Sequence, residues 1–223
     1  MARILIASGA GPYADPWHPF ERTSPLIAEV LREAGHEVEV RATVPGSLLD
    51  LESFDLFVVN AGGGIADEAE PPSDAFVADL ESLGRYLDGG GRALSIHTSN
   101  GAFAQQPKWR AAVGGNWGAD AWHPEISDAA FEPVPGAEGH PVWEGLAGVE
   151  AFDEKYSGLD IDDGVTPLVR HVHEGRPEVM GWAVGERVVF DGLGHDERSY
   201  ESESRRRLLV NEVAWLLGDA VSH

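Results

Sequence analysis

Cysteine is absent from the 223-residue sequence. The chain can therefore form neither a disulfide nor a cysteine-ligated zinc site, and it has no thiolate that could act as a nucleophile. Basic residues are also scarce, with 16 lysines and arginines against 38 acidic residues, which gives a formal net charge of −22. Because a chain of this charge repels polyanions such as DNA, we expect no nucleic-acid partner.

Long apolar runs are missing as well. The run from Ile4 to Ala7 is too short for the hydrophobic segment of a secretion signal, and no later run approaches the roughly 18 apolar residues of a membrane span. We therefore expect a cytoplasmic protein with no membrane partner. The hydrophobic fraction of 43% is enough for a substantial core, and no linker interrupts the chain, which predicts one domain over residues 1–223.

The sequence does contain an alternation of strand and helix patterns. Thr23 and Ser24 before Pro25 predict the start of a helix that ends at Gly35, and helical spacing predicts two more helices over 73–87 and 202–217. Apolar or alternating runs predict strands over 4–7, 36–40, 54–61, 93–96, 165–171, 178–183 and 187–192. Strands that alternate with helices predict an α/β fold around a parallel sheet.

Two regions depart from this alternation. Residues 101–150 are rich in glycine, tryptophan and proline, and they predict an irregular excursion with short strands near Phe131 and Val149. The last two strands are joined by a turn at residues 184–186, which predicts a hairpin on the edge of the sheet.

In an open parallel sheet, ligands bind beyond the carboxyl ends of the strands. The loops after Ala7, Val59, Ile96 and Leu193 should therefore meet in one crevice. The second of these loops contains Gly62, Gly63 and Gly64, whose backbone N–H groups could approach a ligand closely. We assign Gly62 and Gly63 to substrate binding; a flexible turn is the alternative.

His97 lies in the third loop, with Ser95 and Ser99 two positions on either side. Small residues at these positions are what a sharp strand-to-helix turn of the nucleophile-elbow type requires. A histidine displayed there could be a general acid or base, a metal ligand or a structural residue. We assign His97 to catalysis and the following Thr98 to substrate binding.

A second histidine follows the last strand. Gly192 and Gly194 clear space before His195, which is followed by Asp196 and Glu197. A carboxylate can orient an imidazole and stabilise its charged form, so we assign these last three residues to catalysis, with Asp196 or Glu197 orienting the histidine. An exposed polar turn before the last helix is the alternative.

Tryptophan and histidine occur side by side in two further loops. Trp17 precedes His18, and Trp122 precedes His123. Tryptophan beside polar groups suits the apolar faces of sugar rings, so we assign these four residues to substrate binding. Three histidines at a suitable distance could also hold zinc or another divalent ion, although no HxxxH spacing supports this. The candidate metal ligands are His18, His97, His123 and His195.

Several motifs together resemble the trehalose-utilization, or ThuA-like, family, whose members share the class I glutamine amidotransferase fold. They are Gly89-Gly90-Gly91 before Ser95-Ile96-His97, Gly114-Gly115 ahead of His123-Pro124, Gly139-His140-Pro141, Phe152-Asp153-Glu154-Lys155-Tyr156 and Leu193-Gly194-His195-Asp196. The resemblance spans nearly the whole chain. It implies a flavodoxin-like, three-layer α/β/α sandwich with a mostly parallel sheet.

The resemblance also bears on function. Amidotransferases of this fold carry cysteine at the elbow, where this chain has His97, so glutamine hydrolysis is not expected. The family implies a role in carbohydrate catabolism on a sugar or keto-sugar, through isomerase, lyase or hydrolase-type chemistry at a histidine-based site. A non-catalytic sugar-binding or regulatory module is the alternative. The expected partner is a small carbohydrate, the cofactor is unknown, and a divalent metal and a homo-oligomer are left open.

Overall fold

The computed structural model describes residues 1–63 and 73–218. Gly64 of the predicted turn and positions 219–223 of the predicted domain lie outside the described residues. The strands are β1 (Arg3–Ser8), β2 (Glu37–Ala42), β3 (Leu56–Asn60), β4 (Arg92–Ile96), β5 (Gly115–Asn116), β6 (Ser127–Pro133), β7 (Val149–Asp153), β8 (Asp160–Ile161), β9 (Thr166–His173), β10 (Arg176–Val184) and β11 (Val188–Asp191). The helices are α1 (Phe20–Glu33), α2 (Asp74–Asp88), α3 (Pro107–Val113) and α4 (Glu203–Leu217). None of these helices is both long and apolar enough to cross a membrane.

The centre of the fold is a sheet of nine strands in the order β2-β1-β3-β4-β11-β10-β9-β6-β7. The first five strands in this order pair in parallel. The remaining pairs, from β11 to β7, are antiparallel. β1 and β3 are buried along nearly their whole length, as strands covered on both faces must be. The predicted α/β class with a mostly parallel sheet is confirmed.

Helices cover both faces of the sheet. Ile4 and Leu5 are neighbours on β1, and successive side chains of a strand point to opposite faces. On one face, Ile4 shares a hydrophobic core with Ile27 of α1 and Leu208 of α4. On the other face, Leu5 shares a second core with Leu83 of α2. The molecule is therefore the predicted three-layer sandwich.

The start of α1 differs from the prediction. The helix begins at Phe20, and Pro25 lies inside it instead of in its first turn. Thr23 and Ser24 do not cap the helix, because their hydroxyl groups each accept a hydrogen bond of 2.9 Å from Nδ2 of Asn60 on β3. The two hydroxyls thus fix the buried end of the helix to the sheet, a tertiary role that the local sequence pattern does not reveal.

The predicted irregular excursion over 101–150 contains a helix. α3 begins at Pro107, and the side chain of Gln106 accepts a hydrogen bond from the backbone of Lys108. The helix ends at Val113 and is capped by Gly114, which has a left-handed φ of 71°. Trp109 on this helix is fully buried in the second core. The short strands expected near Phe131 and Val149 are present as β6 and β7.

The hairpin of β10 and β11 forms as predicted, but it does not lie on the edge of the sheet. β11 pairs in parallel with β4, and β10 pairs with β9, so the hairpin is in the interior. β2 and β7 are the edge strands. As a result, the loop after β11 lies beside the loop after β4.

Candidate functional site

Loops after four strands meet beyond the carboxyl ends of the parallel strands. The loops follow β1, β4, β7 and β11, and they carry His18, His97, Glu154 and His195 respectively. One nitrogen or oxygen atom from each of these side chains lies within 4.8 Å of the others. We call these four residues the His/Glu cluster.

His97 is the most buried histidine of the cluster, with 1% of its side chain exposed. Its backbone has a left-handed φ of 53°, the strained geometry of a sharp turn. Nδ1 lies 2.7 Å from the carbonyl oxygen of Gly192, and Nε2 lies 2.8 Å from the hydroxyl of Tyr156. Because a carbonyl only accepts, Nδ1 carries a proton, and in the neutral ring Nε2 accepts the tyrosine O–H.

Glu154 joins the histidines of the cluster. Its carboxylate lies 3.3 Å from Nε2 of His97 and 3.3 Å from Nδ1 of His195. A third histidine, His123, has its Nδ1 at 3.6 Å. Burial raises the pKa of Glu154, but its interactions with His195 and His97 outweigh burial and lower the pKa well below its usual value. The carboxylate is therefore negatively charged between the rings.

His18 completes the cluster from the loop after β1. Its ring centre lies 4.9 Å from that of His97 and 4.8 Å from that of His195. Nδ1 is 2.9 Å from the carboxylate of Asp15, whereas Nε2 is buried without a hydrogen-bond partner among the described residues. Burial, followed by repulsion from the His97 ring, lowers the pKa of His18 to about 4. His18 is thus neutral at physiological pH.

His195 is held in place by a fully buried carboxylate, that of Asp153. The Asp153 oxygens accept hydrogen bonds from the backbone N–H groups of Gly194 at 2.8 Å and His195 at 3.1 Å, and from the Ser199 hydroxyl at 2.6 Å. Burial lowers the pKa of His195, but the neighbouring carboxylate of Glu154 more than compensates, so the pKa is raised overall. The loop is therefore tied to the end of β7.

A cavity of about 720 Å³ opens above the cluster. Its size is in the range of pockets that bind small molecules. We call it the site cavity, and its lining residues are Asp15, Trp17, His18, Thr98, Trp117, His123, Glu154, Tyr156 and His195. His97 is not among them, because it lies beneath Tyr156 with the two rings stacked 4.3 Å apart. The cavity combines aromatic walls with a floor of imidazole and carboxylate groups.

Comparison with known proteins agrees with this architecture. Residues 3–216 match the ThuA family, which is described as trehalose utilisation. The chain belongs to the ThuA family. The predicted resemblance is thereby confirmed, and the family connects the chain with a carbohydrate-related role. No curated protein matches the sequence.

Solved structures share the fold of this ThuA-family chain. A ThuA-like protein from Parabacteroides merdae has a TM-score of 0.79 at 16% identity, over 100% of this chain and 92% of that one. A ThuA-like protein from Bacteroides uniformis has a TM-score of 0.72 at 16% identity, over 96% and 90%. A glutamine amidotransferase from Thermotoga maritima has a TM-score of 0.51 at 17% identity, over 86% and 75%. Similarity at these identities establishes the amidotransferase-like fold.

Two predicted catalytic carboxylates of the ThuA-family chain have other partners. Asp196 caps the short helical turn after His195 and pairs with Arg198. Glu197 pairs with Arg22 of α1 at 2.6 Å. The expectation that one of them orients the His195 ring is corrected: the carboxylate beside that ring belongs to Glu154.

The predicted binding residues divide into two groups. Trp17, His18, Thr98 and His123 line the site cavity. The other three are not among the lining residues. The N–H of Gly62 donates to the carbonyl of Tyr13, and Gly63 approaches the backbone of Gly101. Trp122 forms a β-bridge with Ser157, and its ring lies 5.3 Å from that of His173. Of the four candidate metal ligands, His18, His97 and His195 lie in the cluster, and His123 lies beside it.

Sequence reasoning missed Glu154 and Tyr156 as site residues. Both belong to the motif Phe152–Tyr156, which carried the family resemblance but received no chemical role. The signal available in the sequence was the acidic pair Asp153-Glu154 at the end of β7. Its connection to His97 depends on the path of β7, and the local pattern contains no information about that path.

Proposed function

We propose that this chain is an enzyme of carbohydrate use that binds a carbonyl-bearing sugar in the site cavity and moves a proton on it. One observation supports this most directly: a single cavity has indole rings on its walls and the imidazoles of His18, His123 and His195 around one carboxylate. The family description, trehalose utilisation, agrees with a sugar as the ligand.

The aromatic walls suit the binding step. Trp17 is 74% exposed and Trp117 is 38% exposed, and both line the cavity. Trp117 is held by an edge contact with Tyr156, with ring centres 4.7 Å apart. Exposed indole rings stack on the apolar faces of sugars, while the carboxylates of Asp15 and Glu154 can accept hydrogen bonds from sugar hydroxyls.

The chemical step is proton transfer next to the sugar carbonyl. Nδ1 of His123 lies 2.9 Å from the carbonyl of Pro124, so it carries a proton, and Nε2 of the neutral ring is free to act as a base. Nε2 takes the proton from a carbon that carries a hydroxyl next to the carbonyl. The electron pair of the C–H bond forms a C=C bond, and the π pair of the carbonyl moves onto its oxygen, which gives an enediolate. The His195 side of the cluster faces the same cavity and stabilises that oxygen. The hydroxyl proton then passes to that oxygen, and return of the first proton from Nε2 to the former carbonyl carbon completes an isomerisation.

Hydrolysis of glutamine does not fit this chain. His97 directly follows β4 with a left-handed φ of 53°, which suits an elbow, and the sequence has no cysteine to act as nucleophile. Both ring nitrogens of His97 are engaged, by Gly192 and Tyr156, and the ring lies outside the cavity lining. His97 therefore positions other groups instead of attacking a substrate.

Product analysis by NMR on keto-disaccharides and their parent disaccharides tests the proposal. The wild type should convert a keto-sugar, and His123→Gln should be slower by about 10²- to 10⁴-fold, because this is the usual contribution of a general acid or base. His173→Gln is the matched control, since His173 lies on β9 beside Trp122 and outside the cavity lining. Full activity of His123→Gln would contradict the assignment of the base.

The second candidate function is a sugar-binding module without catalysis. The exposed indole rings favour it, because they can bind a sugar without any catalytic group. Calorimetric titration with the same sugars separates the two functions. Binding that Trp117→Ala weakens, together with no product from any sugar, would establish the module and refute the enzyme.

A further inference from the structure

We infer that the His/Glu cluster is a binding site for one divalent transition-metal ion of the zinc type. The ligands are an imidazole nitrogen from each of His18, His97 and His195, and a carboxylate oxygen of Glu154. This inference deepens the proposed function and rests on it for the role of the ion in catalysis. Its test does not involve a sugar.

The distances within the cluster suit a small tetrahedral ion. With metal–ligand bonds of about 2.0–2.1 Å, two ligands of a tetrahedron are about 3.3–3.4 Å apart. Oε2 of Glu154 lies 3.3 Å from Nε2 of His97, which matches this edge length, and the other oxygen, Oε1, lies 3.3 Å from Nδ1 of His195. All four ligand atoms lie within 4.8 Å of one another, so side-chain shifts of about 1 Å would bring them to the spacing of a tetrahedral site.

The outer hydrogen bonds prepare two histidines as ligands. A metal-binding histidine usually donates its second ring N–H to a carbonyl or a carboxylate, which fixes the tautomer. Nδ1 of His97 does this with the carbonyl of Gly192, and Nδ1 of His18 lies 2.9 Å from Asp15. The lone pair of Nε2 of His18 is then left for the ion. Nε2 of His97 accepts the O–H of Tyr156 at 2.8 Å, so this hydroxyl has to turn away when His97 binds an ion.

Three nitrogens of the cluster are buried and make no hydrogen bond of good geometry among the described residues: Nδ1 and Nε2 of His18, and Nδ1 of His195. Two of them lie near a carboxylate, Nδ1 of His18 at 2.9 Å from Asp15 and Nδ1 of His195 at 3.3 Å from Glu154. Buried polar atoms are nearly always paired in folded proteins, so each exception calls for an explanation. A shared cation satisfies Nε2 of His18 and Nδ1 of His195 and also neutralises the buried charge of Glu154.

The donor set favours one class of ion. Three imidazoles suit zinc, cobalt, nickel and iron, whereas calcium and magnesium prefer oxygen ligands. His123 is not a ligand, because its side chain is 41% exposed and it lies outside the set of ligand atoms that approach one another within 4.8 Å. It remains free as the base, while an ion held by these four residues would polarise the sugar carbonyl by taking its oxygen as a fifth ligand.

Titration of chelator-treated protein with Zn²⁺ and Co²⁺ tests the site, with calorimetry for both ions and visible absorption for Co²⁺. The wild type should bind one ion per chain, and Zn²⁺ should displace Co²⁺. Glu154→Gln and His195→Gln should abolish this binding. Asp15→Asn, which removes only an outer carboxylate, should weaken it by about 10- to 100-fold.

His123→Gln and His173→Gln are the matched controls and should bind like the wild type. Circular dichroism of the metal-free variants verifies that each one is folded. The inference is overturned if the folded wild type binds neither ion, if Glu154→Gln binds as tightly as the wild type, or if His123→Gln loses the ion. A wild type that converts sugar without binding metal would refute this inference alone, and one that binds metal without acting on sugar would refute the proposed function alone.

Discussion

Replacing Asp153 by asparagine tests how the protein positions His195. The wild-type carboxylate is fully buried at the end of β7. One oxygen accepts from the N–H of Gly194 and the hydroxyl of Ser199, and the other accepts from the N–H groups of His195 and Glu154. Asparagine has the same shape, but it must place an NH₂ group where one of these oxygens was.

The cost follows from the hydrogen bonds that this NH₂ group cannot accept. On one side the NH₂ group loses the bonds from the N–H groups of both His195 and Glu154. On the other side it loses only the bond from the N–H of Gly194, because the Ser199 hydroxyl can turn and accept from the NH₂ group. A hydrogen bond to a charged group contributes about 1.5–3 kcal/mol, so we expect Asp153→Asn to lower the free energy of unfolding by at least about 1.5 kcal/mol. For a chain of this size, a loss of about 1.5 kcal/mol lowers Tm by roughly 3–6 °C.

Urea unfolding followed by tryptophan fluorescence measures this change. Asp128→Asn is the matched control, because Asp128 is an exposed aspartate on the neighbouring strand β6. The control should stay within about 0.5 kcal/mol of the wild type. If Asp153→Asn is as stable as the control, the hydrogen bonds to the Asp153 carboxylate do not hold the His195 loop in place.

Two further predictions concern Glu212 of α4 and Gly192, the residue after β11. Burial and the nearby carboxylate of Asp191 raise the pKa of Glu212 well above its usual value. The folded state therefore keeps a proton that the unfolded state loses, and the free energy of unfolding falls as pH rises from the ordinary glutamate range towards the raised pKa. In urea unfolding, the stability of Glu212→Gln relative to the wild type should increase with pH; parallel profiles would contradict this. Gly192→Ala should lose about 1–3 kcal/mol, because the added Cβ would lie 2.3 Å from the carbonyl oxygen of Met180. Gly139→Ala, whose Cβ meets nothing within 4 Å, is its control, and equal stability of the two variants would refute the clash.

Much of the fold could be predicted from local patterns. The apolar runs became β1 and β3, and Ser73 caps α2 with a hydrogen bond from the backbone of Phe76. The position of the β10–β11 hairpin in the sheet could not be predicted, because alternation along a strand does not reveal its neighbours. The start of α1 was misplaced because Thr23 and Ser24, typical capping residues, bond to β3 instead.

The candidate site was predictable only in part. Small neighbours around His97 indicated a sharp turn, and its left-handed φ agrees with that reading. His18 and His195 were also recognised as candidates, because both follow strands of the parallel sheet. Glu154 was not, because the excursion between β4 and β7 returns it to His97 over 56 intervening positions, and the sequence does not describe that path.

We propose that this ThuA-family chain moves a proton on a sugar that carries a carbonyl group. NMR of a keto-disaccharide incubated with the protein in D₂O measures this directly, because every reversible removal of the proton next to the carbonyl allows deuterium to enter. We predict incorporation at that carbon with the wild type and a loss of about 10²- to 10⁴-fold in its rate with His123→Gln. A wild type that binds the sugar but leaves its hydrogens unexchanged and its bonds intact would contradict the proposed proton transfer.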